Sequence, residues 1–469
     1  MKSIGAIVLG MALLFGLGTS CRKADVFTSS SSAKLWFNKT LVQFDTVFTK
    51  MGSATYNFKV KNTNPNGVRT NITLAGGSNS YFRINVDGKP GTYFPGKELA
   101  GGDSMYVFVE VTLDGSNTNN PFIVKDSILF ETNGNKQYVN LQAWGQNAIY
   151  LNKQLLTTPM DNTKPYVIMD TVTVPVNYTL TIGKGTKLYF HSGGTLLVGG
   201  SLKVNGDVNN PVIFQGDRLE HDPTYSKGPG QWQGIFFADT SYGNEINYAI
   251  IQNASFGIYD ALYKSDKKDG NPKLKIHKCI IRNMSNFGYL GLNSAMDMDN
   301  TLIYNTGKQA FIADGGTYHV AHCTFDNLNS IFDRQSMTFY LTDQPISLTN
   351  NIQVAAPLNF HGFNLISSGT LDDETGVDLV DSLHDSVAFK GCVFKSKSYT
   401  FNGPNTVNID PGYSNLYNED YHLGSGSLIL NKGWTNLSSL PAAMQSYLIQ
   451  DIEGKNWSTR YPGCYSTTK

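Results

Sequence analysis

Ala249-Ile250-Ile251-Gln252-Asn253 recurs as Cys279-Ile280-Ile281-Arg282-Asn283, Thr301-Leu302-Ile303-Tyr304-Asn305 and Cys323-Thr324-Phe325-Asp326-Asn327. The offsets are 30, 22 and 22 residues. A period near 22 with a turn residue closing each copy is the signature of a solenoid, whose units bury their apolar face only by stacking. The leucine spacing of leucine-rich repeats is absent. The Ile, Val, Phe and Thr in its place suit strands. Asn at each turn predicts a ladder in which one side chain bonds the next. Further copies are expected at Leu188-Tyr189-Phe190, Leu196-Leu197-Val198, Ser201-Leu202-Lys203-Val204 and Val212-Ile213-Phe214, then near Ile346 to Ile352 and at Phe389 to Phe394.

These strands, with Asn at their turns, resemble the right-handed parallel β-helix family that includes the pectate lyases. Gly228-Pro229-Gly230-Gln231-Trp232-Gln233-Gly234-Ile235 is similar to a Gly-Trp-Gly-Ile segment of that family. Tyr421-His422-Leu423, Asp451-Ile452-Glu453-Gly454, Arg460 and Gly463-Cys464-Tyr465 resemble its closing segment. The resemblance implies a β-helix over residues 150–435 and a cover over 436–469, with Asp451 and Arg460 as a structural ion pair. It does not carry an activity. The Trp-Ile-Asp-His and Arg-x-Pro-x-x-Arg segments of pectate-lyase-like enzymes are missing, as are the Asn-Thr-Asp, Gly-His-Gly and Arg-Ile-Lys of polygalacturonase-like enzymes.

The repeat register places side chains. Parallel strands lie about 4.8 Å apart, so Cys279 and Cys323, two rungs apart, should be about 9.6 Å apart. A disulfide requires Cα atoms within ~7 Å, so both thiols are expected free and buried. Reading back along the preceding strand, Ile246, Ile276, Met298 and Val320 form an apolar core column. Two outward columns flank it by strand alternation. One is Glu245, Lys275, Asp297 and His319; the other is Asn247, His277, Asp299 and Ala321. Lys275, His277, Asp297, Asp299 and His319 are the candidate catalytic groups, because acidic-glycan chemistry needs a base and charge neutralisation. The bland reading is a cross-strand ion-pair ladder on a solvated sheet, worth about 0.2–1 kcal/mol per pair. Asp217-Arg218-Leu219-Glu220-His221-Asp222 offers Asp217, Arg218 and Glu220 as a candidate binding loop, against a plain solvated loop. Asp372-Asp373-Glu374 reads as a polar loop. His319-x-x-His322 is weak evidence for metal, and no Cys/His zinc spacing or Asp-x-Asp-x-Asp-Gly calcium loop is present. No metal and no cofactor are expected.

Residues 34–149 read as a different unit. Thr55 to Lys61, Met105 to Val111, Asp126 to Phe130 and Tyr138 to Ala143 are strand-like. Asn64-Pro65-Asn66-Gly67, Gly76-Gly77 and Asn133-Gly134-Asn135 punctuate them as turns. Phe44-Asp45-Thr46-Val47-Phe48, Gly52-Ser53 and Phe58-Lys59-Val60-Lys61-Asn62 resemble immunoglobulin-like domains found beside cell-surface modules. That resemblance implies a β-sandwich acting as spacer or docking module. The whole chain is expected to be all-β: an immunoglobulin-like sandwich, then a right-handed parallel β-helix.

At the N-terminus, Lys2 precedes an apolar stretch, Ile4 to Leu17, too short for the ~20 residues that span a bilayer. Leu17-Gly18-Thr19-Ser20-Cys21 resembles a bacterial lipobox, which implies a signal peptide over 1–20 and lipidation of Cys21. Residues 21–33, with Ser29 to Ser32, read as a flexible tether. The address implied is the outer membrane, reached through the lipid anchor. The acidic run that often marks surface-exported lipoproteins of Bacteroidetes-like bacteria is missing, so the membrane face stays open.

Composition narrows the function. The 469 residues carry 37 Lys+Arg against 37 Asp+Glu, which argues against a nucleic-acid partner. A 40% hydrophobic and 12% aromatic content can build a core. Three readings remain. The first is a non-catalytic outer-membrane lipoprotein whose β-helix binds a protein partner or polysaccharide. The second is a polysaccharide lyase or glycoside hydrolase. The third is an adhesin or envelope-assembly subunit whose 25 Tyr and 26 Phe supply the surface.

Overall fold

The computed structural model describes residues 26–115, 121–220, 222–261, 271–344, 346–348, 352–354, 356–380 and 385–469. The lipobox with Cys21, and His221, lie outside the described residues. The chain forms two compact units that divide between Gln146 and Asn147.

The first unit packs two five-stranded sheets face to face. One orders Leu35–Phe37, Tyr56–Asn62, Ser104–Val111, Phe82–Val86 and Lys89–Gly91, all antiparallel. The other orders Leu41–Phe48, Asn135–Gln146, Phe122–Thr132, Val68–Leu74 and Tyr93–Leu99, with a parallel pair at the Leu41–Phe48 edge. Asn133 and Gly134, both at positive φ, make the two-residue turn that joins Phe122–Thr132 to Asn135–Gln146. Phe44, Phe58, Phe82 and Phe130 fill the core. Ser104–Val111 alternates, burying Met105 and Val107 while Tyr106 and Phe108 face out. The Ser-rich tether departs from its reading. From Val26 on it is tied to the sandwich: Thr28 N–H donates to Gly67 at 2.8 Å, and the Asn133 and Asn135 amides donate to the carbonyls of Thr28 and Ala33, both at 2.9 Å.

The second unit is built on large parallel sheets. The quoted repeat forms consecutive members of one: Ala249–Gln252, Ile280–Met284, Leu302–Thr306 and Thr324–Asn327, paired in the read register. Asn253, Asn283 and Asn305 close their strands at φ 66°, 58° and 53°, a region Asn tolerates better than most residues. Their amides stack into the expected ladder, Asn283 Nδ2 to Asn253 Oδ1 at 3.1 Å and Asn305 Nδ2 to Asn283 Oδ1 at 2.6 Å. The ladder stops at Asn327, whose register partner is Gly369; its amide bonds Thr306 instead. Trp232 is fully buried, stacked on Phe190 at 4.0 Å, with its indole N–H donating to Gln252 O at 2.9 Å.

The other large sheet contains two eleven-residue strands, Tyr289–Asp299 and Phe311–Ala321. Their first halves pair with Ile258–Ala261 and Phe339–Thr342, their second halves with Leu274–His277 and Leu358–Phe363. Asn293 at φ 43° and Gly316 at φ 96° mark the change of partner. A Cβ on Gly316 would lie 2.2 Å from Ser294 O, so only glycine fits. The column Ile246, Ile276, Met298 and Val320 is fully buried.

Four expectations need correction. Ile346–Leu348 and Ile352–Val354 pair antiparallel with each other as a separate two-stranded sheet and join neither large parallel sheet. The segment 436–469 covers a flank rather than an end. Leu437, Leu440, Met444 and Leu448 pack on Ala321 and Phe363, while Ile452 and Cys464 pack on Leu302 and Tyr304, because those outward positions are apolar. Asp451 and Arg460 do not pair: Asp451 accepts from the N–H groups of Glu453, Lys455 and Ser466, and Arg460 donates to His322 Nε2 and Leu448 O. Glu374 is fully buried rather than part of a polar loop, paired with buried Arg334 and accepting from Thr338 N–H and Oγ1.

Candidate functional site

The two outward columns lie where register placed them. Glu245, Lys275, Asp297, His319 and His361 are successive partners, as are Asn247, His277, Asp299, Ala321 and Phe363. They do not form a solvated ladder. The C-terminal segment lies over the second column, so His277 and Asp299 are 1% and 0% exposed. His277 Nδ1 bonds Asp299 Oδ2 at 2.5 Å, and Tyr447, from the helix Ala442–Tyr447, stacks flat on the imidazole. That pair is buried beneath Tyr447, and His277 Nε2 has no hydrogen-bond partner among the described residues.

The first column stays half open. His319 Nδ1 sits 2.9 Å from Asp297 Oδ1, so Asp297 orients the ring and leaves Nε2 unclaimed. His361 stands edge-on to His319 at 5.5 Å. Burial, then the neighbouring His319 and Lys390, lower the His361 pKa below the ordinary imidazole value. Lys275, Asp297 and His319 line a cleft of about 260 Å³ that Asn293, Thr317 and the C-terminal Pro441 complete. Of the sequence candidates, the fold therefore brings Lys275, Asp297 and His319 together and removes His277 and Asp299.

The Asp217 loop does not converge on a site. Asp217 is bonded to His191 at 2.6 Å; burial raises its carboxyl pKa, partly offset by that imidazole. Arg218 pairs with Glu220 at 2.6 Å and lies 4.0 Å over the Tyr225 ring. These pairs engage each side chain, although the buried Glu220 Oε2 has no hydrogen-bond partner among the described residues. Among the described residues, no group of three or more His, Cys, Asp or Glu is placed to hold a metal ion.

A second surface was missed residue by residue. Phe236, Tyr259, Leu290, Ile312 and Tyr340 occupy one outward column over five consecutive rungs. Phe256 and Phe287 flank it. Phe236 lies 5.3 Å from Tyr259 and 5.7 Å from Phe256, and Phe256 lies 5.8 Å from Phe287. The five aromatic rings and Ile312 are half-buried, whereas Leu290 is buried. Polar groups border the stripe: Lys308 stands 5.3 Å over Phe287, and Tyr340 OH donates to Asp378 at 3.1 Å. Asp314, two residues beyond Ile312, is half-buried and pushed up to about 7 by burial and then by Asp343. The signal is an aromatic or aliphatic residue one position after each inward Ile, Tyr or Phe, but insertions between rungs break the period and hide it.

No family model matches the chain, and no curated relative matches it. Among solved structures, PapD-like domain 7 of human CEP192 is 13% identical over 26% of this chain and 89% of its own, with a TM-score of 0.18. A family 123 glycoside hydrolase from Clostridium perfringens is 10% identical over 27% of this chain and 31% of its own, TM-score 0.19. The YadV chaperone is 9% identical over 24% and 51%, TM-score 0.17. This chain thus spans under a third of that hydrolase and about half of that chaperone. Likenesses at these scores carry no argument about the site.

Proposed function

We propose that the protein is a non-catalytic, lipid-anchored glycan-binding protein of a bacterial outer membrane. In this reading the parallel-sheet unit is a right-handed β-helix, the first unit is an immunoglobulin-like spacer, and Cys21 carries the acyl chains. The observation that carries it is the stripe from Phe236 through Tyr259, Leu290 and Ile312 to Tyr340. Rungs about 4.8 Å apart match the length of one pyranose residue, so a sugar chain laid across the strands meets a ring or aliphatic patch at each step. Sugar faces stack on apolar rings while bordering polar groups such as Asp314, Asp378 and Lys308 meet the hydroxyls.

Binding is favoured over cleavage because the carboxylates singled out by the repeat register, Asp297 and Asp299, are bonded to imidazoles and lie on the other halves of the long strands. Two observations favour a lyase or hydrolase instead: the Asp297–His319 pair beside Lys275, and Asp314 at the stripe, whose carboxyl burial pushes up to about 7. Native gel electrophoresis through a panel of neutral and acidic polysaccharides tests the choice. Retardation by at least one polysaccharide, abolished in Phe236→Ala/Tyr259→Ala and without shortening of the polymer, is expected. Depolymerisation, or no retardation by any polymer, would overturn the reading.

A further inference from the structure

The cleft beneath the C-terminal segment is independent of the aromatic stripe. It lies at the second halves of Tyr289–Asp299 and Phe311–Ala321, past the change of partner at Asn293 and Gly316. We propose that this cleft binds a small hydroxylated monocarboxylate, of the open-chain sugar-acid class.

Size sets the first limit. A cleft of about 260 Å³ has room for one sugar-sized molecule. The lining sets the second. Lys275 enters it half-buried and makes no ion pair among the described residues. Its two register neighbours are carboxylates engaged elsewhere, Glu245 with Lys203, Asn247 and Tyr447, and Asp297 with His319. Among the described residues the wall therefore offers one cation without a direct ion pair, and a half-buried ammonium whose neighbouring carboxylates are engaged elsewhere favours an anionic ligand. A dianion would find no second uncommitted cation among the described lining residues and would face the Asp297 carboxylate, so the charge that fits is one.

Hydroxyl recognition follows from the same lining. The Asn293 amide and Thr317 hydroxyl make no side-chain hydrogen bond among the described residues. Together they supply donors and acceptors beside Lys275. Asp297 occupies His319 Nδ1, so Nε2 is the ring atom available to a ligand hydroxyl. Asn293 holds φ 43°, a conformation most residues avoid, at the edge of this cleft.

The test is calorimetric titration of the full mature chain with gluconate, with sorbitol as the uncharged counterpart and glucarate as the dicarboxylate. Saturable binding of one gluconate, with sorbitol and glucarate each at least about tenfold weaker, is expected; one charge-assisted bond is worth about that factor. Lys275→Gln should weaken gluconate by about tenfold or more with an unchanged melting temperature of the unliganded protein. Asn293→Gly, which retains the backbone conformation, should weaken it severalfold. Absence of saturable gluconate binding, equal affinity for sorbitol, or undiminished affinity in Lys275→Gln would overturn the assignment. None of these results depends on polysaccharide binding, so this proposal and the proposed function fail separately.

Discussion

Tyr447 lies face to face on His277, with ring centroids 3.6 Å apart and planes within 7°. The tyrosine hydroxyl also donates to Glu245 Oε1 at 3.0 Å. One aromatic residue of the C-terminal segment thus spans both outward columns and seals the His277–Asp299 pair. Tyr447→Ala should destabilise the second unit by about 1–3 kcal/mol through lost stacking and burial. Tyr447→Phe, which keeps the ring and removes one hydrogen bond, should cost about 0.5–1.5 kcal/mol. Urea denaturation of the three proteins measures both; equal losses in the two variants would show that the stack contributes nothing.

His322 fastens the same segment by different chemistry. It is fully buried, bonded through Nδ1 to Gly463 O and through Nε2 to Asn364 and Arg460, and tilted against Trp457 with ring centroids 4.1 Å apart. Burial and then Arg460 push its pKa down to about 3 from 6.5. Above 6.5 the ring is neutral folded or unfolded. Below it the unfolded chain takes up a proton that the folded one refuses, so stability is lost as pH falls from 6.5 towards 3, by about 1.4 kcal/mol per unit. Asp314 and Asp326, pushed up to about 7 mainly by burial, act oppositely: their contribution is full below about 4 and lost as pH rises through 7. The difference between wild type and His322→Asn isolates the imidazole. That difference should shrink steadily between pH 6.5 and 4, and a constant offset would contradict it.

Arg334 and Glu374 form an ion pair with both side chains fully buried. Removing one partner strands the other charge in the interior, at a cost of about 3–5 kcal/mol. Arg334→Met should show that loss, and Arg334→Met/Glu374→Met should recover a large part of it. A double variant as unstable as the sum of the singles would place the contribution elsewhere, for instance in the bonds from Glu374 to Thr338.

Cys279, Cys323, Cys392 and Cys464 are unpaired and buried. Burial pushes the thiols of Cys279, Cys392 and Cys464 up to about 12 and raises that of Cys323 as well. A thiol-labelling reagent at pH 8 should leave all four unmodified in the native protein and modify them in denaturant. Fast labelling of any one under native conditions would show that its part of the structure opens readily.

The repeat was legible because its Asn residues carry two roles at once, the left-handed turn and the amide ladder, and both constrain sequence. Register followed directly, and with it the Lys275, Asp297 and His319 column. Exposure did not follow. Alternation says that His277 and Asp299 point outward, but whether an outward residue meets water depends on what lies over it. The cover comes from Tyr447, about 150 residues further along the chain, with no local signal. Glu374 was misread for the same reason: three acids in a row look solvated until Arg334, forty residues away, is brought beside one of them. The aromatic stripe was hidden by uneven insertions, which leave registration intact in space while breaking it in sequence.

The central claim is that a glycan lies along the stripe, one sugar per rung. Affinity for an oligosaccharide of the best-retarding polymer, measured by calorimetry as a function of chain length, tests it most directly. Five rungs from Phe236 to Tyr340 span about 19 Å. Affinity should therefore rise with each added sugar up to about five residues and then level off, with the rise lost in Phe236→Ala/Tyr259→Ala. An affinity already complete at one or two sugars, or a length dependence untouched by those substitutions, would contradict the account.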